Sequence, residues 1–174
     1  MRAGLRYKYL LECMSMASAD FKRLNRQMMI YRIVQTILTG LLVVVAIALQ
    51  GRFDSVGRTE MFYSSIISAV VVQLLLLYPV YRLAGRDAGI EIEGSRSGLT
   101  TAELAALRKK RMISDLWKFC GVAFFLVFAT LIPDSKKAPG ALLVLAGTIF
   151  SFLLTCLMYF QCFNFIAKKK IRQG

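Results

Sequence analysis

The sequence predicts an all-α, polytopic membrane protein with four transmembrane helices in two hairpins and both termini cytoplasmic. Three observations predict it. Of the 174 residues, 57% are hydrophobic and 19% charged, whereas a soluble domain is near half apolar and about a quarter charged. The mean hydropathy is +0.57. The charges are also clumped, for none falls in residues 33–50, 61–81, 119–133 or 141–167. Each run is long enough, or nearly so, to cross a hydrocarbon core about 30 Å thick at about 1.5 Å of helical rise per residue. The pattern excludes a soluble globular enzyme, a disordered tail and a secreted disulfide scaffold.

Residues 1–31 form a basic N-terminal segment in which Arg2, Arg6, Lys8, Lys22, Arg23 and Arg26 alternate with Leu5, Tyr9, Met14, Phe21, Met28 and Met29. Such a mixture suits a helix on the inner leaflet, with apolar residues at the acyl boundary and cations at anionic headgroups. A docking helix packed under the bundle fits it equally. The first hairpin is expected over residues 32–82. Its first span is lengthened at the interface by Ile30 and Tyr31, its turn lies at residues 51–60, and its second span covers 61–81.

A cytoplasmic segment follows over residues 83–117. Gly85, Gly89, Gly94 and Gly98, with Ser95 and Ser97, read as a flexible loop. Thr100-Thr101-Ala102-Glu103 fits a capping box, so a helix is expected to start there. It runs on through Leu116 and Trp117 into the third span. The second hairpin occupies residues 118–167. Its charge-free run at 119–133 is short by itself, its turn lies at 134–140, and its last run is longer than the core needs and should tilt. Residues 168–174 are a basic tail.

Charge orients the spans. Nineteen basic residues fall in the two ends and the central segment, with Arg32, Arg82 and Lys118 counted at their edges, and four (Arg52, Arg58, Lys136 and Lys137) in the two turns. The positive-inside rule places both termini and the central segment in the cytoplasm. Tyr31, Tyr78, Tyr81, Trp117, Phe163 and Phe165 then fall at the inner boundary, and Phe62 and Tyr63 at the outer one, the levels that aromatic rings prefer. No cleavable leader is expected, because the first apolar run begins near residue 30 behind many charges. A bacterial inner (plasma) membrane is the expected location. The Arg-rich beginning also imitates a mitochondrial presequence, which makes the mitochondrial inner membrane the other setting, although Glu12 and Asp20 weigh against it.

Arg108-Lys109-Lys110-Arg111 and Lys168-Lys169-Lys170 are the strongest charge runs. Four consecutive residues surround a helix rather than form one face. Both runs read as positive-inside stops beside a span, in contact with anionic lipid. The net charge of +13 is therefore mostly topology, and no nucleic-acid partner is expected.

Catalytic chemistry is sparse. The chain contains no histidine, which removes the usual residue of haem, zinc and Ser-His sites. Cys13, Cys120, Cys156 and Cys162 form no C-x-x-C pair and read as small hydrophobes. No catalytic residue, cofactor or metal site is expected. Small four-span multidrug exporters are similar in size, but they rely on a membrane-embedded glutamate in the first span. Gln35, Thr36 and Thr39 stand in that span here, so export activity is not expected.

Weakly polar stripes mark the spans instead. Gly147, Ser151 and Thr155 recur every four residues in the fourth, as do Ser65, Ala69 and Gln73 in the second; Ser64 and Ser68 pair there too, and Thr36 and Gly40 pair in the first. Small residues at this spacing let helix backbones approach, and Gln or Ser can bond across the contact. Packing within one chain, a subunit interface and a pore lining all fit. The expected function is a non-enzymatic subunit, structural or accessory, of a larger membrane complex of secretion, conjugation, transport or respiratory type. Its partners would be membrane lipids and other membrane subunits. A homo-oligomeric pore lined by these Ser/Thr/Gln faces is the alternative, and a lipid-binding or membrane-shaping protein a weaker one.

Overall fold

The structure is a computed structural model that describes residues 22–95, 99–131 and 140–173. Residues 1–21 of the expected interfacial segment, 96–98 of the expected loop and most of the expected turn at 134–140 lie outside the described residues. Four long helices make up nearly all of the rest: α1 (Lys22–Ser55), α2 (Thr59–Glu93), α3 (Thr101–Leu131) and α4 (Ala141–Gln173). Three of them, α1, α2 and α4, are long and apolar enough to cross a membrane. The charge-free part of α3, residues 119–131, measures about 20 Å as a helix, short of a core of about 30 Å.

Local chemistry sets the helix ends. Gly57 has φ +70°, its N–H bonds to the Asp54 carbonyl at 3.0 Å, and the Arg58 N–H bonds to the Phe53 carbonyl at 2.9 Å. This is the paired closure of a Schellman motif, which needs a residue free to adopt left-handed φ. The Thr59 hydroxyl then donates to Asp54 Oδ1 at 2.8 Å, which ties the next helix to the last. At α3 the capping box forms in both directions. The Glu103 N–H donates to Thr100 Oγ1 at 3.3 Å, and Glu103 Oε2 accepts the Thr100 N–H and hydroxyl, each at 2.8 Å. The Thr100 amide and then its hydroxyl hold the Glu103 carboxyl below its ordinary value.

The central unit is the pair α2 and α4, which run parallel and in nearly constant register. A Cβ on Gly147 would meet the Ser65 carbonyl at 3.9 Å, and Gln73 reaches Thr155, 82 positions away. Farther on, a Cβ on Gly85 would lie 3.5 Å from the Ile166 side chain, and one on Gly89 3.3 Å from Lys170 Nζ. Two apolar clusters hold the ends of the bundle. At the basic end Leu24 and Met28 of α1 pack with Ala84 and Ala88 of α2 and Phe163, Ile166 and Ala167 of α4. At the other end Leu49 and Phe53 pack with Phe62, Ala69, Leu142, Ala146 and Phe150. Full burial of a side chain such as Leu24 contributes about 1.5–3 kcal/mol where the alternative is water.

One expectation changes. Residues 83–93 are the last turns of α2, not a loop. Gly85 and Gly89 lie on the face turned to α4, and with Ala84 and Ala88 they let the two helices approach where larger side chains would separate them. α1 runs unbroken through residues 31 and 32. Residues 24, 28 and 31 share one face of α1 and pack against α2 and α4, while residues 1–21 of the N-terminal segment lie outside the described residues. Between the clusters the outward faces are apolar and exposed, as at Ile37, Val44, Leu74 and Phe124.

Candidate functional site

The basic end of the bundle contains a buried polar cluster to which α2 and α3 contribute charge and α4 a hydroxyl. Asp87, in the next-to-last turn of α2, is 5% exposed. Its Oδ1 accepts the Ser114 hydroxyl from α3 at 2.7 Å, and its Oδ2 accepts the Tyr159 hydroxyl from α4 at 2.7 Å. Lys118 Nζ lies 3.0 Å from the same Oδ2 and 5.2 Å from the centre of the Tyr159 ring. A carboxylate removed from water loses much of its hydration, and these three donors replace it. One turn on, Glu91 meets Arg111 side by side: Nη2 donates to Oε2 at 2.8 Å and Nε lies 2.8 Å from Oε1.

Spacing explains the match. Asp87 and Glu91 stand four apart on one face of α2, and Arg111, Ser114 and Lys118 stand three and four apart on one face of α3. The two acids of one helix meet the two bases of the other. A cavity of about 120 Å³ lies over this seam, lined by Gln27 and Tyr31 of α1, by both ion pairs and by Phe163 of α4. Gln27 Oε1 is buried there without a hydrogen-bond partner among the described residues. Tyr31 packs against Phe160 and Phe163, with ring centres 4.9 and 4.8 Å away. Saturated by three donors, the Asp87 carboxylate is arranged to hold helices together rather than to exchange a proton with a substrate. Among the described residues no three His, Cys, Asp or Glu side chains are placed to share a metal ion.

The stripes divide. Ser65, Ala69, Gln73, Gly147, Ser151 and Thr155 come together in the α2–α4 seam. Gln73 Nε2 donates to the Ser151 carbonyl at 2.9 Å and to Thr155 Oγ1 at 2.6 Å, and buried Ser65 bonds back to the Phe62 carbonyl at 2.6 Å. Ser64 and Ser68 are exposed and bond back to their own helix. Thr36 and Gly40 are exposed as well, and the space where Gly40 would carry a Cβ is open. Gln35, not singled out as part of a stripe, donates to Gln161 Oε1 at 3.1 Å and ties α1 to α4.

The basic runs divide too. Arg108, Lys109 and Lys110 are exposed, whereas Arg111 turns inward to Glu91. Lys168, Lys169 and Lys170 are exposed at the end of α4. Lys168 and Lys170 line different grooves, the first with Arg32 and Arg172, the second with Arg86 and Lys110.

Sequence reasoning missed Asp87, Glu91, Ser114, Lys118 and Tyr159. The usable signal was the complementary spacing of acids and bases in two segments joined by a short connection. No family model, no curated protein and no solved structure matches the chain.

Proposed function

We propose that this protein is a non-enzymatic integral membrane subunit, a structural or accessory component of a larger complex. In this reading α3 joins α1, α2 and α4 as a fourth span. The basic end faces the cytoplasm of a bacterial inner membrane, or the matrix side of a mitochondrial one. The observation that carries the reading is the state of α3. Its N-terminal half is locked to α2 by Arg111, Ser114 and Lys118. Its apolar half is left largely uncovered: Phe124 is 72% and Leu131 74% exposed, while Phe125 stacks on Phe152 of α4 with ring centres 4.0 Å apart.

A span shorter than the bilayer core is accommodated by local thinning or by packing against neighbours, and a second subunit supplies such a neighbour. The pore alternative draws less support, because Gln73, Ser151 and Thr155 bond to one another across the α2–α4 seam.

A photoreactive residue at Val127, which is exposed on α3, tests the reading in native membranes. Crosslinks to another membrane protein are expected. Crosslinks to lipid alone, or to a second copy of this chain alone, count against it. Orientation is read from Ser55→Cys and Thr101→Cys in a cysteine-free background. A membrane-impermeant reagent is expected to label the first from outside and the second only after permeabilisation.

A further inference from the structure

We propose that the groove between the first turns of α1 and the last turns of α4 binds the phosphodiester headgroup of an anionic glycerophospholipid. The groove has a volume of about 360 Å³ and, among the described residues, is lined by three cations, Arg32, Lys168 and Arg172, with no carboxylate. None of the three makes an ion pair among the described residues. Like charges gathered from two helices repel one another, and an anion seated between them removes that cost. A guanidinium offers a planar fork that matches phosphate oxygens, and the ammonium adds a point charge.

Depth identifies the source of the phosphate. Arg32 immediately precedes the charge-free residues 33–50 of α1, and Lys168 immediately follows the charge-free residues 141–167 of α4. Two cations that close the apolar runs of neighbouring helices stand at one level, the level of the lipid phosphates. The rest of the lining is Asn25, whose amide can bond a headgroup oxygen, and Met28, Met29 and Ile171, whose apolar surface suits the glycerol and upper acyl chain and offers a free phosphate nothing. The second groove is different. There Arg86, Lys110 and Lys170 share the lining with Glu93, and Lys110 stands more than two turns before the apolar half of α3. The site rests on the membrane reading above, with the basic ends of the helices on one face.

The test uses the full-length protein in nanodiscs of phosphatidylcholine doped with phosphatidylglycerol. Native mass spectrometry then reads which lipids stay bound after release. The wild-type chain is expected to retain phosphatidylglycerol selectively. In Arg32→Gln/Lys168→Gln retention should fall by about thirtyfold, as for the loss of two surface cations. Lys109→Gln/Lys110→Gln, which loses the same charge elsewhere, should retain the lipid. Lys168→Glu, a single change at an exposed side chain, should reproduce the loss without burdening the fold. Equal losses in both double variants would mean that only the general surface charge acts, and displacement of the lipid by glycerol 3-phosphate would mean a soluble-phosphate site; either overturns the proposal. Insertion without lipid preference contradicts the site alone, whereas failure to enter the nanodisc contradicts the membrane reading itself.

Discussion

The Tyr159 hydroxyl of α4 donates to Oδ2 of Asp87 in α2 at 2.7 Å, so two parallel helices are pinned through one carboxylate oxygen. The same oxygen is reached by Lys118 from α3, and the other oxygen by Ser114. Asp87 is thus the point at which α2, α3 and α4 are held together, at the end of the bundle where the apolar runs give way to charge.

Asp87 and Lys118 should be energetically coupled. Breaking a fully buried ion pair by removing one partner costs about 3–5 kcal/mol, and the Lys118 side chain is one-third exposed, so Asp87→Ala should cost nearer about 2–3 kcal/mol. In thermal unfolding in detergent, Asp87→Ala/Lys118→Ala should lose clearly less than the sum of the single variants. Strict additivity would mean that the pair does not hold α3. Tyr159→Phe should remove about 1.5–3 kcal/mol, the loss of one bond to a charged acceptor.

Glycine substitutions should separate two kinds of position. At Gly89 a side chain meets Lys170 at 3.3 Å, and at Gly85 it meets Ile166 at 3.5 Å, so Gly85→Leu should push α4 from α2 and lower the unfolding temperature. Gly40→Leu enters open space and should leave unfolding of the isolated protein nearly unchanged. Should Gly40→Leu destabilise the isolated chain as much as Gly85→Leu, the packing described for α2 and α4 would be wrong.

Those glycines also show where the sequence was legible. Uninterrupted apolar runs located α1, α2 and α4, because bilayer thickness imposes a length that composition alone reveals. The seam of Ser65, Ala69 and Gln73 against Gly147, Ser151 and Thr155 was legible in outline, since four-residue spacing puts small groups on one face. At residues 85–93 the same glycine signal was ambiguous: it marks either a turn or a close approach. Only the partner helix, with Ile166 and Lys170 in place, decides between them. Asp87 and Glu91 were hidden for that reason, because charged residues in a supposed loop are expected to be solvated. Likewise the run at 108–111 looked uniform, yet among the described residues Arg111 alone meets an acid.

The start of α3 should loosen in acid. The Glu103 carboxylate is stabilised by bonds from Thr100, and its pKa lies below the ordinary 4.5. A group with a lowered folded pKa contributes stability that is present above its unfolded value and is lost as pH falls through the folded one. Hydrogen exchange at the amides of Thr100 and Glu103, corrected for its intrinsic pH dependence, should therefore lose protection below pH 4.5. Glu103→Gln, which can still accept the Thr100 amide, should flatten that dependence. An unchanged acid dependence in Glu103→Gln would remove the capping explanation.

Affinity isolation of the tagged protein from native membranes in mild detergent, with mass and composition of the eluate read together, tests the proposed function most directly. A stable set of other membrane proteins is the predicted result. The same set should be lost or thinned when Phe124 and Val127, on the uncovered face of α3, are both changed to Ala. Elution of this chain alone, as a monomer or a pure homo-oligomer, would contradict the account; a homo-oligomer that passes ions in liposomes would establish a pore in its place.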